Sequence, residues 1–262
     1  MTTFGQRLRQ SMAARGPVCA GIDPHAGLLR QWGLEDSPAG VREFSLRTID
    51  ALYDRAAAFK PQSAFYERHG AAGVAALEET LRACRDAEVP VIADVKRGDI
   101  GSTMDGYAQA FLSDASPLAG DAVTLSPYLG VGSLTPALEL ARQTGRGVFV
   151  LALTSNPEGA SVQHARGEDG TSVAGRIVSQ LADFNSRCDQ QHLASSWEPP
   201  WATQSSVWAS ISPRSMALFW LQEWAHRALD RRRSGRFSPE PKMLSSPRPL
   251  EQSCVLARAS PA

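Results

Sequence analysis

Four ionisable residues crowd one short stretch: Asp94, Lys96, Arg97 and Asp99 in VIADVKRGDIGST, residues 91–103, directly behind an apolar run. Burying charge is expensive unless the charge is paired or used. Side chains alternate along a strand, so Ile92, Asp94 and Lys96 share one face while Val91, Ala93 and Val95 share the other. The aliphatic face suits packing against helices, which leaves the charged face pointing inward with its charges nearest the carboxyl end. Asp99 falls in the following loop, within reach of the same mouth or of a neighbouring subunit. Asp23 and Lys60 end two earlier apolar runs, and Ser126 ends a later one. Replacing buried ion pairs by apolar residues is often neutral, so Asp23, Lys60, Asp94 and Lys96 converging on one mouth exceed what stability needs. A site explains them better.

The chemistry follows from the charges. A lysine held between two carboxylates keeps its proton, because opposite charges nearby favour the charged form. Such a lysine is a poor Schiff-base nucleophile and a well-placed proton donor. A fixed carboxylate would repel a substrate carboxylate by about 4 kcal/mol at ~4 Å and an effective dielectric of about 20. Losing carbon dioxide relieves that repulsion, while the ammonium stabilises and then protonates the carbanion left behind. The residues suggest a decarboxylase that needs no cofactor.

These residues must be held by strand ends. Short apolar runs at 18–23, 57–62, 90–96, 121–127 and 146–155 read as strands, most of them closed by Pro or a polar residue. Between them lie helical patterns at about 40–57, 70–87, 101–114 and 133–144, with a further helix beginning near 171. Strands alternating with helices mean βα units and a parallel sheet. The βα turns carry neither GxGxxG nor GxxxxGK[ST], so an open nucleotide-binding sheet is not favoured. Polar residues recurring at successive strand ends fit a (β/α)₈ TIM barrel, with strands one to five readable.

The rest of the chain reads differently. Of 21 glycines, 20 precede residue 186, whereas five of the six tryptophans follow it. Residues 186–262 also hold 14 serines, eight prolines and nine arginines but three Val or Ile, so no sixth, seventh or eighth strand is readable there. One amphipathic helix is expected near 215–233. The chain therefore divides into a partial barrel, 1–185, and an atypical tail, 186–262, which we read as translated out of frame.

Formal net charge is zero, which gives no electrostatic case for nucleic acid or an anionic membrane. There is no apolar run of membrane-spanning length and no leader pattern at the start, so a soluble cytoplasmic protein is expected. Cys19, Cys84, Cys188 and Cys254 are too scattered for a metal site and read as reduced structural thiols. His25, His69 and His164 read as loop or surface residues, and no metal is expected.

The strand-end motifs carry a family resemblance. DVKRGDIGST, GIDPH, FKPQSAFYERHG, TLSPYLG and LTSNPEG, in that order, resemble orotidine 5′-phosphate decarboxylases of the bacterial long-helix subgroup over about residues 4–185. The resemblance implies decarboxylation of orotidine 5′-phosphate to UMP, the last step of de novo pyrimidine synthesis, without a cofactor and by a homodimer. It implies that Lys96 donates the proton to C6 and that Asp94 presses against the substrate carboxylate. Asp99 and Thr103 would then serve the partner subunit's site, Asp23 and Lys60 the ribose hydroxyls, and Ser126 the pyrimidine edge. Lys60 also belongs to the family's Lys-Asp-Lys-Asp array.

The family grips its phosphate with loops after strands seven and eight, and the tail offers no counterpart. Remote phosphate binding normally drives chemistry at the ring, so a poorly folded, nearly inactive chain is expected. Three alternatives stand beside the main reading. Magnesium-using sugar-phosphate decarboxylases and hexulose-phosphate synthases share Asp-x-Lys-x-x-Asp but lack the Lys60 strand end and TLSPYLG. A Schiff-base aldolase barrel suits Lys96 poorly, and a non-catalytic dimerising remnant would not need Asp94, Lys96 and Asp99 intact.

Overall fold

The structure, a computed structural model, describes residues 2–186 and 193–196. The chain opens with α1 (Phe4–Arg15), β1 (Cys19–Ile22), α2 (Ala26–Gln31), α3 (Pro38–Leu52), β2 (Ala58–Pro61), α4 (Ala64–Glu67) and α5 (Gly70–Asp86). It continues through β3 (Ile92–Arg97), α6 (Gly101–Leu112), β4 (Ala122–Leu125), α7 (Thr135–Thr144), β5 (Gly147–Leu151), α8 (Ala160–Gln163), α9 (Val173–Ser186) and β6 (Leu193–Ser196). Among the described residues the named strands pair in parallel: β1 with β2, and β3 to β6 in sequence order. Parallel bridges Phe59–Val91 and Gln62–Asp94 join the two groups, so the six strands form one sequential wall. This is the arrangement of a TIM barrel, strand beside strand with helical crossovers outside.

Local chemistry explains the crossovers. Ser37 caps α3 through its Oγ, which accepts from Gly40 N at 3.2 Å, and Pro38 sits at the first helical position where a missing N–H costs nothing. α7 ends at Gly145, whose φ of 69° is the left-handed stop that a side chain would oppose.

Two apolar layers form around the strands. Outside, Val91, Ala93 and Val95 pack in a large cluster with Leu77 and Leu81 of α5 and Phe111 and Leu112 of α6. Inside, Cys19, Ala58, Ile92, Ala122 and Phe149, one residue from each of β1 to β5, form a second cluster closed by Phe4 and Leu8. α1 thus plugs the amino-terminal end of the barrel. The Phe4 and Phe149 rings meet edge to face at 5.8 Å, and the plug is tied by Arg7, which donates to Gly145 O at 3.1 Å and to Asp121 at 3.0 Å. Burying Phe4 and Leu8 stabilises the closure by about 1.5–3 kcal/mol each. Cys19 and Cys84 are free and buried, and burial pushes the Cys19 thiol up to about 12, which keeps it an inert apolar filler.

All five expected strands form, with β3 running one residue past its expected end to Arg97, and the alternation expected for 91–95 holds. The tail reading needs one correction: β6, Leu193–Ser196, pairs parallel with β5 where no sixth strand was readable. Leu-Ala-Ser-Ser has no β-branched or aromatic residue, and its extended form comes from the open edge of β5 rather than from intrinsic preference. The helix expected near 215–233, strands seven and eight, Cys188 and Cys254 lie outside the described residues. Among the described residues, no helix is long and apolar enough to cross a membrane.

Candidate active site

The carboxyl ends of β1 to β4 bring the charges together. Asp94 is buried, and its carboxylate accepts from four donors. Oδ1 takes Lys96 Nζ at 2.6 Å and Thr124 Oγ1 at 2.8 Å; Oδ2 takes Lys60 Nζ and, at 3.2 Å, Gln62 Nε2. Both oxygens are thereby saturated and the carboxylate plane is fixed.

Burial alone would push the Asp94 carboxyl up, but the Lys60 and Lys96 ammonium charges outweigh it and hold the pKa below the usual carboxylate range. Burial likewise opposes the charge on Lys60. Asp94 and Asp23 overcome that effect, and the Lys60 pKa ends above its ordinary value. Asp23, at the end of β1, therefore belongs to the same electrostatic cluster. The Asp94–Lys60 pair is thereby held ionised, with Lys60 nearly enclosed and Lys96 reaching toward open space, its side chain 42% exposed.

Lys96 reaches the mouth by a route that simple alternation does not describe. Ala93 pairs with Val123 but Arg97 pairs with Leu125, so β3 spends four residues where β4 spends two. The excess is a bulge, and Lys96 sits in it with φ +48°, a left-handed conformation that costs a non-glycine residue about 1–3 kcal/mol. The amides of Val95 and Lys96 both donate to Thr124 Oγ1 at 3.0 Å. Backbone strain of this kind thus falls on the residue whose ammonium meets Asp94, as it also does at Glu88 away from the site.

The loop after β3 is tied down on both sides. Gly98 passes so close to β4 that a Cβ would lie 2.3 Å from Ser126 O, and Ser126 N donates to Arg97 O at 2.7 Å. Arg97 turns outward, forms an ion pair with Glu67 and lies 5.8 Å over the Tyr107 ring. Ser63 donates to the same Glu67 carboxylate, which joins the loops after β2 and β3.

The structure brings Asp23, Lys60, Asp94 and Lys96 together and sets Ser126 at the adjoining strand end. Asp99 and Thr103 stand apart. Asp99 Oδ1 accepts from the next backbone amide, Ile100 N, at 2.8 Å, and Thr103 is exposed in the first turn of α6. Among the described residues, Asp94 is the carboxylate that Lys96 touches, so the clamp on Lys96 within one chain is single. Sequence reasoning missed Gln62 and Thr124. Gln62 was legible as the residue after Lys60-Pro61, on the same face as Lys60; Thr124 lay hidden inside an apolar run.

Charged side chains donated by successive strand ends of a parallel barrel define a TIM-barrel protein with its chemistry at the carboxyl face. The chain belongs to the orotidine 5′-phosphate decarboxylase / HUMPS family, whose family model matches residues 16–193. It is 57% identical over 185 residues to orotidine 5′-phosphate decarboxylase of Streptomyces coelicolor, covering 71% of this chain and 66% of that protein. The enzyme of the same name from Corynebacterium glutamicum is 54% identical over 183 residues, 70% of this chain and 66% of the relative. The chain thus spans 66% of the length of these relatives. A crystal structure from Streptomyces avermitilis superposes with a TM-score of 0.72 at 54% identity, covering 74% of this chain and 69% of that one. Leishmania donovani OMP decarboxylase gives a TM-score of 0.61 at 33% identity, covering 74% and 70%.

Proposed function

We propose that this site decarboxylates orotidine 5′-phosphate to UMP, as the last step of pyrimidine synthesis in the cytoplasm. The Lys60–Asp94–Lys96 array carries the reading: a carboxylate held ionised between two ammonium groups at a barrel mouth. A substrate carboxylate placed on the ring carbon beside Asp94 is repelled by it, and the C6–carboxylate bond breaks with its electron pair left on C6. Lys96 Nζ, partly exposed and hydrogen-bonded to Asp94, stabilises that carbanion and transfers one proton to it. Lys60 and Asp23 then bind the ribose hydroxyls, and Ser126 reads the pyrimidine edge. Every group the bond cleavage uses is a side chain of this cluster, so the mechanism calls for no cofactor.

The acting unit is a homodimer in which Asp99 and Thr103 complete the partner's mouth. Their position outside the cluster supports this, as does the exposure of Ile100 and Tyr128, 63% and 81%, on the loops that Ser126 and Arg97 join. The tail sequence offers no counterpart to the loops with which the family grips its phosphate, so slow turnover is expected of this chain.

The test offers the purified full chain, in excess over substrate, carboxyl-labelled orotidine 5′-phosphate or a hexulose phosphate, with and without magnesium. Label is expected as carbon dioxide from the nucleotide, unaffected by chelator. Turnover of the sugar phosphate alone, or a strict magnesium requirement, would contradict the proposal.

A further inference from the structure

We propose that Thr124 is a positioning residue: its hydroxyl holds the β3 bulge in the form that lays the Lys96 ammonium against Asp94. The inference rests on the reading of Lys96 as proton donor, and its test separates the two.

Thr124 is 2% exposed, in the middle of β4, and every hydrogen-bonding capacity of its hydroxyl is used. A hydroxyl has one hydrogen and two lone pairs. The hydrogen goes to Asp94 Oδ1 at 2.8 Å, and the lone pairs accept Val95 N and Lys96 N at 3.0 Å each. Because the carboxylate can only accept and the amides can only donate, the orientation of the O–H is fixed.

One oxygen therefore touches both ends of the catalytic pair. It fixes Asp94 directly, and it fixes the backbone of Lys96 in a conformation with φ +48° that the residue would not choose for itself. The two extra residues of β3 lift Val95 and Lys96 out of register with the carbonyls of β4, and Thr124 Oγ1 takes the place of the lost ladder bonds. Without it, two amides and one carboxylate oxygen lose a partner at once, and the bulge is free to relax. The ammonium would then drift from Asp94 although none of its own atoms had changed.

Valine matches threonine in shape and removes the hydroxyl; serine keeps the hydroxyl and removes the methyl. In the full chain with enzyme in excess, Thr124→Val is expected to lower the single-turnover rate about 100-fold, the scale of an ångström misplacement. The substrate concentration giving half-maximal rate should change less than about threefold, because ground-state contacts remain. Amide hydrogen exchange at Val95 and Lys96 should accelerate at least tenfold in Thr124→Val, while Thr124→Ser stays near wild type in both measurements. A Thr124→Val chain with wild-type rate, or with both amides still protected, overturns the proposal. Equal losses in the serine and valine chains also overturn it, since they mark a packing role. If the valine chain does not fold, the serine chain still decides, because a lost rate there contradicts the inference. Should Lys96→Ala turn over as fast as wild type, the reading of the site fails, while exchange at the two amides still reports whether Thr124 holds the bulge.

Discussion

Lys60 and Asp94 form an ion pair across adjacent strands, with side chains 8% and 3% exposed. The pair ties the end of β2 to β3 beside the isolated backbone bridges that join the two strand groups. It is therefore both a seam in the barrel wall and the anchor of the proposed site.

Breaking this seam from one side should be worse than removing it. Lys60→Met leaves a buried carboxylate short of a countercharge and is expected to cost about 3–5 kcal/mol, read as a shift in urea denaturation. The double variant Lys60→Met/Asp94→Leu should recover part of that loss. A double variant as unstable as the sum of the singles would deny the coupling.

The same pair sets a pH response. The folded pKa of Asp94 is depressed, so its contribution is present above the ordinary carboxylate value of about 3.9 and is lost as pH falls through the folded value. That of Lys60 is raised, so its contribution is present below about 10.4 and is lost as pH rises through the folded value. Between those limits the pair contributes a constant stability. Asp94→Asn should flatten the acid limb of a stability–pH curve; an unchanged acid limb would contradict the assignment.

Gly98 should tolerate no side chain. A Cβ there meets the backbone oxygen of Ser126 at 2.3 Å, which no side-chain rotation can relieve, so Gly98→Ala must displace the loop that follows Lys96. Rate is expected to fall by at least tenfold, on the ~10²-fold scale of small misplacements, with the thermal midpoint lowered by a few degrees. Wild-type turnover in Gly98→Ala would show that the loop does not matter.

The plug makes a prediction far from the site. Gly147→Ala drives a Cβ to 2.3 Å from the Phe4 ring and should destabilise the barrel, whereas Phe4→Ala should cost about 3–5 kcal/mol as a cavity. Thermal unfolding of both, with Phe4→Leu/Gly147→Ala as the relieving double variant, checks it. No relief in the double variant would place the strain elsewhere.

Much of this was legible before the structure, for physical reasons. Asp23, Lys60, Asp94 and Ser126 stand out because each ends an apolar run, and parallel strands place their ends side by side. Thr124 was not legible, since in DAVTLSP it reads as an ordinary strand former and its task depends on a bulge in a different strand. The bulge itself leaves no trace in alternation, because Lys96 falls on the expected face either way. α1 was not among the helical patterns read from the sequence, and nothing in residues 4–15 marked Phe4 and Leu8 as a plug for the barrel. β6 was missed because its pairing is supplied by β5. Asp99, three residues past Lys96, looked like a second clamp, but the turn into α6 carries it away.

The tail offers a check on sequence alone. Re-reading the nucleotide sequence from codon 186 in its other two frames is expected to yield glycine-rich βα units and an arginine behind a strand. Neither frame doing so would make the tail a genuine variant, and a purified chain with an ordinary decarboxylation rate would remove the reason to expect a defect.

The central claim is that Lys96 delivers the proton to carbon. Its most direct test is the single-turnover decarboxylation rate of Lys96→Ala against wild type, both as full chains in excess over orotidine 5′-phosphate. General acid catalysis contributes about 10²–10⁴-fold, so a loss of at least that size is predicted, with the fold intact by circular dichroism. A Lys96→Ala chain that releases carbon dioxide at the wild-type rate would contradict the account.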